Sequence, residues 1–358
     1  QIAYRTAGED YNWGNWAALT ASSPVAIGIT DRYLQYKVES TGDGLVTPTF
    51  HEMNLWTPGT ELTGNLNAIT TFDLASSPYW VTADISFTSG THTFDAGVEL
   101  NFLPETGLTV SQANMICNGT VSDSVKFKGY TAEIGTWDGI YFDPNSDNGV
   151  SSQFHYTVIQ GAGFGSWNAN LYCNGTNEPL LYHCSIRGSN GHGLRLNSAH
   201  LSIEETFFGG NTESGVYLEN SNPSFINSET SDNQFAGLYL TSVASEPNFF
   251  GMLSENNTCA MYYPSPDFTI LPPNGTSLTF TGNTYNGICL EGGQVYNNRT
   301  WNSISYDYIM LGDLVIGKAA SNSRLTIEPG NTVKFVPGSK LQVGIYIPFS
   351  HYGGELYS

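Results

Sequence analysis

The side chains able to do chemistry in this chain are mainly carboxylates and phenols. Its 358 residues include 32 Asp and Glu against 12 Lys and Arg, with 7 His, 5 Cys and 21 Tyr. Two carboxylates about 5–9 Å apart can hydrolyse a glycosidic bond, one supplying the proton and the other attacking or activating water. Asp232 and Glu255, 23 residues apart, form the best such pair if the chain repeats at that interval. Glu204, Glu205, Glu213, Glu219 and Glu229 find no acidic partner in the same way, and scattered acids usually serve to solvate a surface. His192, flanked by Gly191 and Gly193, is a candidate general base, although the two glycines equally describe a turn. Asp143, Asn145 and Asp147 alternate oxygens as a calcium loop begins. Gly149 then falls one residue late, and Phe154 stands where a bidentate Glu belongs, so a bulging loop accounts for the segment equally well. Asn118, Asn174, Asn256, Asn274 and Asn298 each open an Asn-x-Ser/Thr sequence that admits a glycan.

These residues need elements to position them, and an internal repeat supplies the elements. A tetrapeptide of small, apolar, variable and apolar residues recurs as Gly139-Ile-Tyr-Phe142, Asn170-Leu-Tyr-Cys173, Gly193-Leu-Arg-Leu196, Gly215-Val-Tyr-Leu218, Gly237-Leu-Tyr-Leu240, Ala260-Met-Tyr-Tyr263 and Gly287-Ile-Cys-Leu290. The spacings are 31, 23, 22, 22, 23 and 27 residues. Short apolar runs such as Leu201–Phe208 lie between them, bounded by turns such as Gly209-Gly210-Asn211 and Ser231-Asp232-Asn233. Two or three strands per repeat, closed by residues that tolerate positive φ, describe one turn of a β-solenoid. Helical repeats would need about ten helix-forming residues per element, which these Asn-, Gly- and Ser-rich windows lack.

Alternation along a strand points the second and fourth residues of the tetrapeptide inward and the third outward. The outward column then reads Tyr141, Tyr172, Arg195, Tyr217, Tyr239, Tyr262, Cys289, roughly 30 Å long at about 4.8 Å per turn. Such a stripe suits neutral polysaccharide or another protein surface. The plainer account is that Tyr is a good strand residue and that loops cover it.

The repeat over residues 79–300 resembles the right-handed parallel β-helix proteins, a likeness that carries the fold and leaves activity open. Residues 94–110 also align without gaps with residues 327–343 at a constant offset of 233. Their pattern is similar to the opening coil of β-helix domains in large secreted and surface bacterial proteins. Arg32–Glu39 alternates apolar and polar residues, Ser40–Gly44 turns, and Thr47–Trp56 returns, resembling the closing strands of a β-sandwich. The resemblance implies partial sandwich-like strands over 1–77, a β-helix over 78–305 and the start of a second β-helix unit over 306–358.

β-Helix enzymes provide a comparison for His192. Gly191-His192-Gly193 matches one short element of the polygalacturonases, whose Asn-Thr-Asp, Asp-Asp and Arg-Ile-Lys elements have no counterpart here. Pectate-lyase chemistry needs calcium-binding aspartates and a basic residue, and only Arg187 and Arg195 are near. An anionic polymer would also meet a net charge of −20.

That charge, with only 12% charged residues, disfavours nucleic acid and anionic membranes as partners. No apolar run reaches the length of a membrane span, and no signal sequence leads the chain, which reads as a mature or excised segment. Cys117, Cys173, Cys184, Cys259 and Cys289 lack metal-site spacing. They read as buried small hydrophobes, or as two disulfides and one thiol with Cys173–Cys184 the preferred pair. The leading expectation is a non-enzymatic extracellular or cell-surface module that meets copies of itself or adjacent domains end to end. Neutral-glycan binding and glycoside hydrolysis are the alternatives. No cofactor is implied apart from calcium at Asp143, Asn145 and Asp147.

Overall fold

A computed structural model describes residues 2–7, 15–19, 33–38, 59–146, 151–176, 179–241, 245–268, 274–317, 323–347, 350–352 and 354–357. The chain divides into two units, Gln1–Pro58 and Gly59–Ser358. In the first, three antiparallel strands run in the order Ala17–Leu19, Ile2–Ala7, Tyr33–Val38. Arg5 and Lys37 both sit over the Trp16 ring, 4.6 and 4.9 Å from its centroid. The alternating strand expected over 32–39 is present, while the return strand over 47–56 lies outside the described residues.

The protein is 1% helical, and its second unit is a parallel β-solenoid of about 11 turns. Most turns give one short strand to each of three parallel ladders. Ser202–Glu204, Phe207–Gly209 and Ser214–Glu219 make one turn, stacked in register on Leu180–Tyr182, Ser185–Arg187 and His192–Asn197. Left-handed backbone recurs where strands meet. At one corner Gly188, Gly210, Asp232, Asn256 and Gly282 have φ of 64, 64, 57, 54 and 66°. Gly, Asn and Asp enter this region most readily, which is why turn signals recur at the repeat interval.

Inside, like residues stack on like. Phe72 lies on Phe94 with ring centroids 4.4 Å apart, and Phe225 on Phe249 at 5.7 Å. Such pairs add about 0.5–1.5 kcal/mol each beyond the area they bury. Just ahead of the tyrosine-bearing strands runs a buried amide ladder. Asn211 Nδ2 donates to Asn233 Oδ1 at 2.8 Å, Asn233 to Asn257 at 2.9 Å and Asn257 to Asn283 at 3.0 Å. Each buried amide thus meets its need for partners in the turn above or below. The small residue opening the tetrapeptide makes room for this. A Cβ at Gly237 would come within 2.1 Å of Ser254 Oγ and 2.5 Å of Thr230 Oγ1.

The solenoid begins before residue 78 and runs past 305. Thr60–Leu66 pairs with Tyr79–Phe87, and Thr70–Phe72 pairs with Gly90–Phe94. Asp307–Met310 and Val333–Phe335 extend the tyrosine-bearing sheet. Buried Tyr308, Met310, Leu314 and Ile316 continue the same core, so the strands read as opening a second β-helix are further turns of the first. All five cysteines are buried, and none of them forms a disulfide. Cys173 does not pair with Cys184: it faces the core in register with Phe142 and Leu196. The Cys184 thiol instead donates to the Phe154 carbonyl at 3.2 Å, and burial pushes its pKa up to about 12. Among the described residues no helix is long and apolar enough to cross a membrane.

Candidate functional site

The tyrosine column assembles in register. Tyr141 pairs with Tyr172, Tyr172 with Arg195, Arg195 with Tyr217, Tyr217 with Tyr239, Tyr239 with Tyr262, and Tyr262 with Cys289. Below it the column continues as Thr109 and Ser86, above it as Ile309 and Lys334. Parallel in-register stacking brings the side chains close enough to satisfy one another. The Arg195 guanidinium lies over both neighbouring rings, 4.6 Å from the Tyr172 centroid and 5.6 Å from that of Tyr217. Tyr217 and Tyr239 meet edge to face at 4.9 Å, as do Tyr239 and Tyr262 at 4.8 Å. Desolvation raises the phenol pKa of Tyr217 and of Tyr239.

The face is therefore uneven. Tyr141, Tyr172, Arg195, Tyr217 and Tyr239 are half-buried. Tyr262 is only 5% exposed and Cys289 is fully buried. Phe235 packs edge-on against Tyr239 and Tyr262, and Tyr285 and Leu311 close over the same cluster. The Tyr262 hydroxyl donates to Glu291 Oε2 at 2.8 Å, so the outward contact expected of Tyr262 is already made within the chain. At the other end Trp167 leans on Tyr141, centroids 5.3 Å apart and planes 32° apart, and Tyr141 lies 31° from Tyr172. These three rings are less inclined to one another than Tyr217, Tyr239 and Tyr262 are.

No protein-family model and no curated protein matches the chain. The geometry alone therefore speaks for the remaining residues. His192 is buried at the start of its strand, 4.6 Å from the Tyr217 ring centroid. Its Nδ1 accepts the Ser214 amide at 3.3 Å, and its Nε2–H donates to Glu213 Oε2 at 2.8 Å. Both ring nitrogens are engaged, and the bond from His192 is the main reason that the Glu213 carboxyl lies below the usual carboxylate range. Arg195 Nη1 donates to the Ser166 and Trp167 carbonyls, each at 3.3 Å, tying the loop to the column.

Asp232 and Glu255 do not face each other across adjacent turns. Glu255 is in register with Ser231, which puts Asp232 level with Asn256. The stretch between Leu240 and Asn248 is two residues longer than its equivalent one turn below, between Leu218 and Ser224, so the turns stack at an offset of 24 here, one more than separates Asp232 from Glu255. The group whose acidity shifts is Glu229, whose pKa is raised by desolvation and then by Glu255 and Asp232. Asp143 spends its carboxylate locally, accepting the Asn145 amide at 2.8 Å and its side-chain Nδ2 at 3.3 Å. Asp147 lies outside the described residues. Among the described residues no group of three or more His, Cys, Asp and Glu is arranged to hold a metal ion.

Of the glycan acceptors, Asn118, Asn256 and Asn298 are exposed, although Asn298 Oδ1 already accepts the Arg324 amide at 3.0 Å. Asn174 is half-buried, and its Nδ2 donates to the Tyr141 hydroxyl at 3.1 Å. The Asn274 side chain lies outside the described residues. Trp167 and Phe235, which the sequence did not single out, complete the tyrosine face together with Glu213, which it offered only as a scattered acid. Glu213 and Phe235 sit 22 residues apart, one just before each tetrapeptide, and that repeat interval was the available signal.

Proposed function

We propose that this chain is a non-enzymatic extracellular structural module of a surface protein or filament. Its stacked turns act as a stiff rod, and its end turns make the contacts. The observation that carries this reading is a one-sided strand at each end of the stack. Among the described residues Thr60–Leu66 pairs only with Tyr79–Phe87, and five of its seven residues are exposed. Leu341–Val343 pairs only with Leu314–Ile316, with Leu341 42% and Val343 47% exposed. Free amide and carbonyl groups along such an edge template another chain. Because the two edges differ, their contact is head to tail and propagates rather than closing.

Sedimentation velocity and electron microscopy at rising concentration should reveal linear oligomers. Leu341→Lys combined with Val343→Lys should return them to monomers. Wild-type protein that stays monodisperse and monomeric under native conditions would defeat the filament reading.

A second reading, binding of neutral polysaccharide, draws on the contiguous rings of Trp167, Tyr141 and Tyr172, inclined 32° and 31° to one another. Sugar rings stack on such faces through their C–H surface. Tyr141→Ala should then abolish retention on an immobilised neutral polysaccharide, and a broad glycan array without a hit would count heavily against this reading.

A further inference from the structure

One corner of the solenoid carries side chains that its backbone disfavours. Successive turns place Tyr156, His183, Glu205, Asn227 and Gly251 above one another, all left-handed, with φ of 44, 52, 46, 46 and 93°. Their amides donate across the corner: Tyr156 to the Tyr182 carbonyl, His183 to Glu204, Glu205 to Ile226 and Asn227 to Phe250. Gly and Asn enter this conformation at little cost, whereas a tyrosine does not. Asn227 and Gly251 show what the backbone alone would select. Tyr156 persists against that preference, and local strain of this kind marks functional surfaces.

The rings form a compact aromatic patch. Tyr156 lies face to face with His183, centroids 4.6 Å apart and planes 11° apart. Tyr182 meets both edge-on, at 86° and 75°, and His155 lies 5.5 Å from Tyr182, its partner in register. All four side chains are half-buried, leaving part of each in solvent. Carboxylates border the patch. Glu204 is the register partner of Tyr182 in the next turn, and Glu205 Oε2 sits 2.9 Å from His183 Nδ1. In the same outward column, beyond Glu204 and Ile226, Phe250 is 45% exposed.

Electron-rich ring faces beside carboxylates attract cations, and a planar guanidinium both stacks on the rings and pairs with the acids. The chain already uses this pairing internally, where Arg195 lies over Tyr172 and Tyr217. Its net charge of −20 favours a cationic partner at long range. We propose that the corner formed by His155, Tyr156, Tyr182 and His183, with Glu204 and Glu205, binds arginine side chains of an extended partner segment. This site is independent of the end-to-end contacts, since it sits on the flank of the middle turns.

The test is titration with a fluorescently labelled hexa-arginine peptide, hexalysine serving as the comparison. Salt of about 0.15 M screens exposed charges beyond about 8 Å and suppresses the general attraction of a polycation to an acidic protein. The arginine peptide should bind about tenfold more tightly than the lysine peptide, because only the guanidinium stacks as well as pairs. The double variant Tyr156→Gly, His183→Gly should lose about tenfold in affinity for the arginine peptide, while its unfolding midpoint holds or rises because glycine relaxes a left-handed position. Tyr182→Leu, which keeps apolar bulk and removes the π face, should show the same loss and decides the matter if the double variant fails to fold. Equal binding by wild type and variants overturns the proposal. So do equal affinities for the two peptides, and retention on a neutral polysaccharide without binding of either peptide.

Discussion

His92 lies wholly inside the first turns, its ring stacked on Phe87 with centroids 3.9 Å apart. Its Nε2–H donates to the Ser89 carbonyl at 3.2 Å, and its Nδ1 has no partner. Burial holds its pKa below that of an ordinary histidine, because the imidazolium would lose its water without gaining a counter-charge. The unfolded chain therefore takes up the proton first, at about pH 6.5. Stability from keeping His92 neutral is fully present above that pH and declines as the pH falls toward the lower folded value. The depressed carboxylates act in a separate, more acidic window. Desolvation opposes ionisation of Glu99, but its bonds with Lys126 at 2.7 Å and Lys128 at 2.9 Å outweigh that and leave its pKa lowered. A substitution at residue 92 thus reports on the upper window alone. His92→Phe keeps the stack on Phe87 and removes the titrating group. Urea midpoints measured between pH 8 and pH 5.5 should fall less steeply for the variant than for wild type. Coincident slopes would show that His92 does not sense pH.

At the scale of elements, legibility in the sequence depended on whether local or distant residues set the outcome. The tetrapeptide strands were readable because small, apolar, variable and apolar positions recur at 22–23 residues where Asn170 to Met261 stack, and alternation then assigned the faces. The repeat at offset 233 was readable for the same reason. Its strands reappear as Glu99–Phe102 and Gly107–Val110, then as Val333–Phe335 and Leu341–Val343. The turns between them match as well, with Thr106 donating to the Leu103 carbonyl and Ser339 to that of Val336. Yet Gly107–Val110 joins the tyrosine-bearing sheet in the first copy, whereas Val333–Phe335 joins it in the second. Local residues fix the turn, and the turn beneath fixes which face receives the strand. That is why the second copy extends the first solenoid instead of opening another. The same division explains the site. The column from Tyr141 to Cys289 followed from periodicity, whereas the burial of Tyr262 under Phe235 and Leu311 depended on side chains arriving from other turns. Asp232 and Glu255 are 23 residues apart while the turns there stack at an offset of 24, Ser231 on Glu255, and that one-residue difference leaves the two acids out of level. Asn211 and Asn233 looked like turn residues, and only stacking with Asn257 and Asn283 turned them into a buried ladder.

For the whole solenoid, each turn contacts mainly the turn before and the turn after, so stability is close to a sum along one axis. A turn in the middle, such as Ser202–Glu219, is paired on both sides along all three of its strands. Thr60–Leu66 and Leu341–Val343 are paired on one side among the described residues, and they retain exposed side chains. Opening an end turn therefore breaks one interface, while opening a central one breaks two or requires everything beyond it to separate. Amide hydrogen exchange followed by mass spectrometry should find the slowest amides between residues 192 and 240, with exchange quickening steadily toward both ends. Uniform protection from 60 to 343 would mean that the turns open as one cooperative block, and nearest-neighbour stacking would no longer describe the energetics. Repeating the measurement at rising protein concentration links this gradient to assembly. If end edges pair between copies, protection should grow at Thr60–Leu66 and Leu341–Val343 while the central turns, already paired on both sides, stay unchanged. Ends whose exchange ignores concentration would leave the rod without the contacts that a head-to-tail polymer needs.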